Sequence, residues 1–139
     1  MQSMLLTRWS ETGEKIVQLA QAVPAEQYEY RATPEVRSVA EQLRHVAFWN
    51  TYVAGTLDGK PVDGEANELP RAQFSTKAKI VAALERSFND AAMAFKRRKE
   101  AVDEESANTM VSFIAHNAEH YGQLTVYARL NGLVPPASR

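Results

Sequence analysis

The sequence predicts an all-α protein, a four-helix bundle. Three observations predict it. Four segments repeat apolar residues at spacings of three and four, the period of one helix face. No segment alternates apolar and polar residues as a half-buried strand does. A long glycine- and proline-bearing stretch, residues 58–74, separates the second and third segments.

The first helix is expected from about Ser3 to Ala22. Leu5, Trp9, Ile16, Leu19, Ala20 and Val23 form its apolar stripe, and Pro24 ends it. The second is expected from Ser38 to Leu57. Ser38 and Glu41 have the spacing of a capping box, in which each side chain satisfies a free amide of the first turn. Val39, Leu43, Val46, Val53 and Leu57 form the stripe; Gly55 weakens the end, and Gly59 and Pro61 stop it. A loop as long as 58–74 is seldom needed in a compact domain. It has a physical use as a crossover along the bundle, which makes the second and third helices parallel. At about 3.3 Å per residue it spans a helix of about 20 residues.

The third helix is expected from about Ser75 to Lys99, with Val81, Leu84, Phe88, Ala91 and Phe95 inward. The basic run Lys96-Arg97-Arg98-Lys99 falls at its C-terminus. The acidic run Asp103-Glu104-Glu105 falls just before the fourth helix. Both signs complement the helix dipoles, and that reading is preferred to a binding patch for either run. The fourth helix is expected from about Ser106 to Asn131, with Met110, Phe113, Ile114, Tyr121, Leu124, Tyr127 and Ala128 inward. Gly132 is a natural residue to follow its C-cap, and Pro135-Pro136 forbid continuation.

The 139 residues suit a single domain, 1–139, large enough to bury a core without staples. Apolar residues make up 45% and charged residues 24%, ordinary values for a globular protein. There is no cysteine, which excludes disulfides, thiolate metal sites and a cysteine nucleophile. MQSMLLTRW carries too short an apolar run for a signal peptide, and no stretch approaches a membrane span. A cytoplasmic protein is expected. The formal net charge of −1 weighs against nucleic acid as the main partner, since phosphate binding needs concentrated positive charge.

The chain has three histidines: His45, His116 and His120. His116 and His120, in the sequence HNAEH, are spaced i, i+4, which stacks both imidazoles on one helix face within reach of one metal ion. Position 117 is Asn, not Glu, so this is not the metalloprotease HExxH motif. At about 100° per residue, His120 lies near the centre of the fourth apolar stripe and His116 toward its edge. His45 lies about 120° from the centre of the second stripe, near Trp49 and Tyr52. It sits on a flank, where it closes a site at the rim of the core or is simply unrelated to the pair. Three imidazole ligands leave coordination positions open, as in a catalytic metal site. Such ligands suit a divalent ion, with Zn or Ni first and Fe, Mn or Cu behind. An open site acidifies water or holds a thiol as thiolate, and the thiol would arrive as a cosubstrate.

SVAEQLRHVAFWN (38–50) and HNAEHYGQLTVYARLNGLVPPASR (116–139) resemble the DinB-like, YfiT-related bundle superfamily. One histidine on the second helix and an HxxxH pair on the fourth are its hallmark, and the likeness covers essentially the whole chain. The resemblance implies an up-down-down-up bundle in which His45, His116 and His120 are the metal triad. It also implies a bacterial protein related to S-transferases that use low-molecular-weight thiols and to a thiol-dependent isomerase. Many members have no known activity and are described only as metal-binding or stress-induced; homodimers are common. The name is shared with an unrelated DNA polymerase and implies no DNA chemistry. Two readings follow. One is a metal-dependent enzyme, an S-transferase or hydrolase type acting on a small-molecule electrophile. The other is a non-catalytic bundle whose metal is structural.

Further residues are candidates for the surroundings of the site. Asn50 and Asn117 lie on or near the stripes, and each needs a partner if buried. A polar bridge between helices is the preferred reading, and orientation of a histidine or water is the functional one. Glu41 lies one turn before His45, but its capping role competes for it. Gln123 and Tyr127 neighbour His120 and line a pocket on this reading; Trp49 walls the site or simply packs. Arg44 and Arg129 either bind a substrate carboxylate or are solvated. No protein residue is assigned a catalytic role, which falls to a water or thiol on the metal.

Overall fold

The computed structural model describes residues 1–98 and 102–139. Four helices account for most of them: α1 (Gln2–Ala22), α2 (Val39–Leu57), α3 (Lys77–Arg97) and α4 (Glu104–Leu130). Short 3₁₀ turns lie at Ala25–Gln27 and Pro136–Ser138, and there is no strand among the described residues. Lys99, the end of the expected basic run, lies outside the described residues.

The helix ends follow local chemistry. Ser38 caps α2 in a reciprocal box: the Glu41 amide donates to Ser38 Oγ at 3.1 Å, and the Ser38 amide donates to Glu41 Oε2 at 2.8 Å. Thr76 caps α3 and Asp103 caps α4. The fourth helix therefore begins two residues earlier than Ser106, and Glu104 and Glu105 lie inside its first turn, where their charge meets the positive end of the dipole. At the far end of α4, Gly132 has φ +76°; the Leu133 amide donates to the Ala128 carbonyl and the Gly132 amide to that of Arg129. That is a Schellman ending, and Gly59 (φ +69°) closes α2 the same way through Lys60 to Gly55 and Gly59 to Thr56.

Side-chain pairs fix the helix directions. Trp9 Nε1 donates to the Phe88 carbonyl and Gln2 Nε2 to that of Phe95, so α1 and α3 run antiparallel. Asn50 donates to Ser87, and Arg97 pairs with Asp58 at 2.7 Å, so α2 and α3 run parallel. Gln42 meets His120 and Asn50 meets Asn117, so α2 and α4 run antiparallel. The bundle is up-down-down-up, with α1 and α2 each packed against both α3 and α4. The expected stripes are buried: Leu5, Trp9, Ile16, Leu19 and Ala20 on α1, and Val39, Leu43, Val46, Val53 and Leu57 on α2. Leu84, Phe88, Ala91 and Phe95 follow on α3. Gly13 lets α1 approach α3, because a Cβ there would stand 2.8 Å from the Phe88 ring.

The described part of the basic run is structural, as expected. Lys96 and Arg97 occupy the last turn of α3. Arg97 pairs with Asp58, while Arg98 donates to the Leu57 carbonyl at 2.6 Å and pairs with Asp103 at 3.0 Å. Three helix ends are thereby tied together. No helix among the described residues is long and apolar enough to cross a membrane.

Candidate metal centre

Periodicity places the two histidines of α4. His116 and His120 project from one face, their ring centroids 4.6 Å apart. Across the antiparallel α2–α4 interface stands His45, its ring 5.1 Å from His116 and 4.7 Å from His120. One ring nitrogen from each of the three lies within 4.8 Å of the others. His45 is 6% exposed, although its position on α2 predicts a flank at the rim. The physical reason is the crossover. Residues 60–74 fold back along α2 and cover that flank: the Leu69 amide donates to the Arg44 carbonyl, and Arg44 Nη1 donates to that of Phe74.

Each imidazole is oriented through its Nδ1. His45 Nδ1–H donates to the Asn67 carbonyl at 2.7 Å, and His120 Nδ1–H to Gln42 Oε1 at 3.1 Å. His116 Nδ1–H donates to Asn117 Oδ1 at 3.3 Å. These partners are all oxygens that accept, which assigns the proton to Nδ1 in each ring and leaves each Nε2 as a lone pair. His45 Nε2 and His116 Nε2 then face one another at 3.1 Å with no proton between them. Two nitrogens that share an ion at about 2.0–2.1 Å each lie about 3 Å apart. The donor set therefore fits a divalent cation, and the oxygens behind the rings are the usual outer support of such ligands.

Burial reinforces the neutral form. Desolvation pushes His45 down to about 4, with the charge of Arg37 and the neighbouring His116 acting the same way against the Asn67 hydrogen bond. Desolvation, then His116, His45 and Arg37, push His120 down to about 3. His116 is lowered as well, chiefly by burial. Near neutral pH all three imidazoles are uncharged, with one proton on Nδ1 and a lone pair on Nε2, the state a metal ligand requires.

The remaining candidates divide. Trp49 stands beside the trio, its ring 6.4 Å from His45 and 6.5 Å from His116. Its Nε1 donates to Asn67 Oδ1 at 2.8 Å, and its ring stacks on Phe113. Asn50 donates to Ser87 and accepts from Asn117 Nδ2, a polar bridge joining three helices. Asn117 serves both readings: its amide nitrogen joins that bridge while its oxygen holds His116. Gln123 is exposed on α4. Tyr127 turns its hydroxyl to the Arg37 carbonyl and its ring edge to Tyr30, tying α4 to the segment before α2. Arg44 is not solvated: it is 1% exposed, its Nε pairs with Glu68 at 3.0 Å, and its Nη2 is buried without a partner. Arg129 is exposed. Glu41 keeps its capping role and binds Arg31, so His45 finds its acceptor in Asn67 instead.

Two residues of the site are not among the sequence candidates. Gln42 carried a signal, since at about 100° per residue it lies within about 20° of Val53 on the apolar side of α2. Asn67 carried a weaker one: asparagine tolerates the left-handed conformation it adopts, φ +59°.

A search of curated proteins finds no match to the chain. A family model described as the DinB superfamily matches residues 8–124, which span parts of all four helices and include the three histidines, and the chain therefore belongs to that superfamily.

Proposed function

We propose that the histidine trio holds a divalent metal ion and that the protein is a metal-dependent enzyme acting on a small electrophile with a thiol or water. The observation that carries the reading is the convergence of three lone-pair nitrogens, each ring being locked from behind by an oxygen acceptor. Three protein ligands leave room for a fourth, exchangeable one. A bound ion would supply Lewis acidity, lowering the pKa of a thiol or water that enters. The protein's own part is to keep the imidazoles neutral and aimed, with Trp49 and Phe113 shielding one side from water. In the thiol version the sulfur–carbon bond forms as the bond to the leaving group breaks, and the thiol proton passes to solvent. Zn or Ni suits the all-imidazole set best, with Fe, Mn or Cu as alternatives. A small-molecule substrate, a cytoplasmic setting and a homodimer belong to the same reading; exposed Val111, Val126 and Leu130 on α4 support the dimer.

The test is metal content by mass spectrometry on the purified protein and on His116→Ala. Stoichiometric metal in the first and little in the second is expected; equal content in both overturns the trio as the site. A screen of electrophiles with bacterial thiols then tests the reaction.

A second reading, a structural metal in a non-catalytic bundle, is supported by the ligand set, which includes no carboxylate to serve as a base. Thermal melting with and without chelator separates the two. A large loss of stability favours the structural role, since binding to the native state alone stabilises it.

A further inference from the structure

Toward the start of α2, the surroundings of the trio hold two guanidiniums that share one carboxylate. Arg37 stands just before the Ser38 cap, its carbonyl fixed by the Tyr127 hydroxyl at 2.8 Å. Its Nε lies 3.8 Å from Glu68 Oε1, and the other oxygen of Glu68 accepts from Arg44 Nε at 3.0 Å. Glu68 directly follows Asn67, the residue that holds His45, so this cluster is bolted to the site through the main chain. One carboxylate serves two guanidiniums, and one positive charge is left over. Arg44 is 1% exposed, whereas the Arg37 side chain keeps 38% exposure, so Arg37 is the cation of the pair that solvent reaches. Its charge acts on all three imidazoles. Of the acidic groups nearby, Glu41 is engaged by Arg31 and the Ser38 amide, while Glu119, exposed on α4, opposes Arg37 at His116 and is not among the groups acting on His45 or His120.

A second observation comes from Gln42. The side chain is 1% exposed, and its Oε1 is spent on His120. Its Nε2, on the same terminal carbon, is buried without an acceptor. A buried donor of this kind calls for an oxygen. An oxyanion beside His120 satisfies it and lies in the field of Arg37, whose charge acts on that ring.

We propose that Arg37 and the Gln42 amide form an oxyanion subsite beside the metal, so that the ligand entering the open coordination positions carries a carboxylate. This rests on the metal-enzyme reading above. A guanidinium–carboxylate contact is a charge-assisted hydrogen bond, among the strong ones available to a small ligand. A neutral ligand of the same size leaves both donors unmet.

The test uses the full chain loaded with Co²⁺, whose visible spectrum reports ligands entering the site. It is titrated with 3-mercaptopropionate and with 2-mercaptoethanol, two small thiols of which one carries a carboxylate. The wild-type protein is expected to prefer the carboxylate thiol about tenfold, and Arg37→Gln to lose that preference while taking up the same Co²⁺. Arg129→Gln is expected to keep it. Raising the ionic strength is expected to weaken the carboxylate thiol alone, a measurement that needs no variant. Equal affinity for the two thiols in the wild type, or an undiminished preference in Arg37→Gln, overturns the subsite while leaving the metal centre intact. A chain that takes up no Co²⁺ overturns the metal reading and the subsite with it.

Discussion

The two sides of this bundle are built on different principles. α1 meets α3 through apolar groups, with Trp9 edge-on to Phe88 at 5.5 Å and Gly13 admitting the ring. α1 contributes no buried polar side chain, and α3 contributes only Ser87. α2 and α4 meet through His45, His116 and His120, with Gln42, Asn50 and Asn117 between them. The contrast teaches where stability and chemistry lie. Apolar burial and close packing hold the first interface. The second holds buried polar groups that need exact partners, and an ion would complete it.

The largest break in that contrast is Trp9→Ala. It removes a ring that is 2% exposed and a hydrogen bond to Phe88, and about 3–5 kcal/mol of stability should go with them. Denaturant unfolding measures the loss. Metal content of the folded variant should not change; if it falls, the two interfaces are coupled. Next is Gln42→Leu, which leaves His120 Nδ1–H without its acceptor. Metal affinity should fall about 10–100-fold with a far smaller effect on unfolding, as competition with a chelator would show. Gly13→Ala sharpens the apolar side. The added methyl gains helix propensity of roughly 1 kcal/mol but meets the Phe88 ring at 2.8 Å, a clash worth about 1–3 kcal/mol. Trp9 holds that ring in place, so a small net destabilisation is expected.

Acid should produce the mildest effect near neutrality, and it acts on the polar side alone. An unfolded histidine titrates near 6.5, whereas His45 and His120 in the fold take a proton only near pH 4 and 3. Between these values the unfolded chain binds more protons. Stability of the metal-free protein is therefore full above about pH 6.5 and falls as pH drops toward 4. Melting temperatures across this range should decline, and His45→Phe should flatten part of the slope. A flat profile in the wild type would contradict the burial of the trio.

The four helices were legible because each has a stripe and a chemical stop. Ser38 with Glu41, Gly59 and Gly132 marked ends that the structure places within a residue or two. The i, i+4 pair on α4 was legible from period alone. His45 was not, because its burial comes from residues 60–74, a stretch with no period to read. The same loop hid Asn67, whose contribution to His45 is a main-chain carbonyl and has no signature in residue type. Arg44 was misread for the same reason. A helix-surface arginine reads as solvated until a loop supplies Glu68 and the Phe74 carbonyl.

Asn67 works with two different atoms: its carbonyl holds His45, while its side-chain oxygen takes Trp49 Nε1. Only the second contact depends on which amino acid stands there. The first depends on a left-handed turn of the chain, which glycine also adopts without strain. The position can thus drift between Asn and Gly over evolutionary time without disturbing the ligand, while the tryptophan wall is free to reshape. In such a scaffold the surroundings of the histidines can change faster than the support of the histidines themselves.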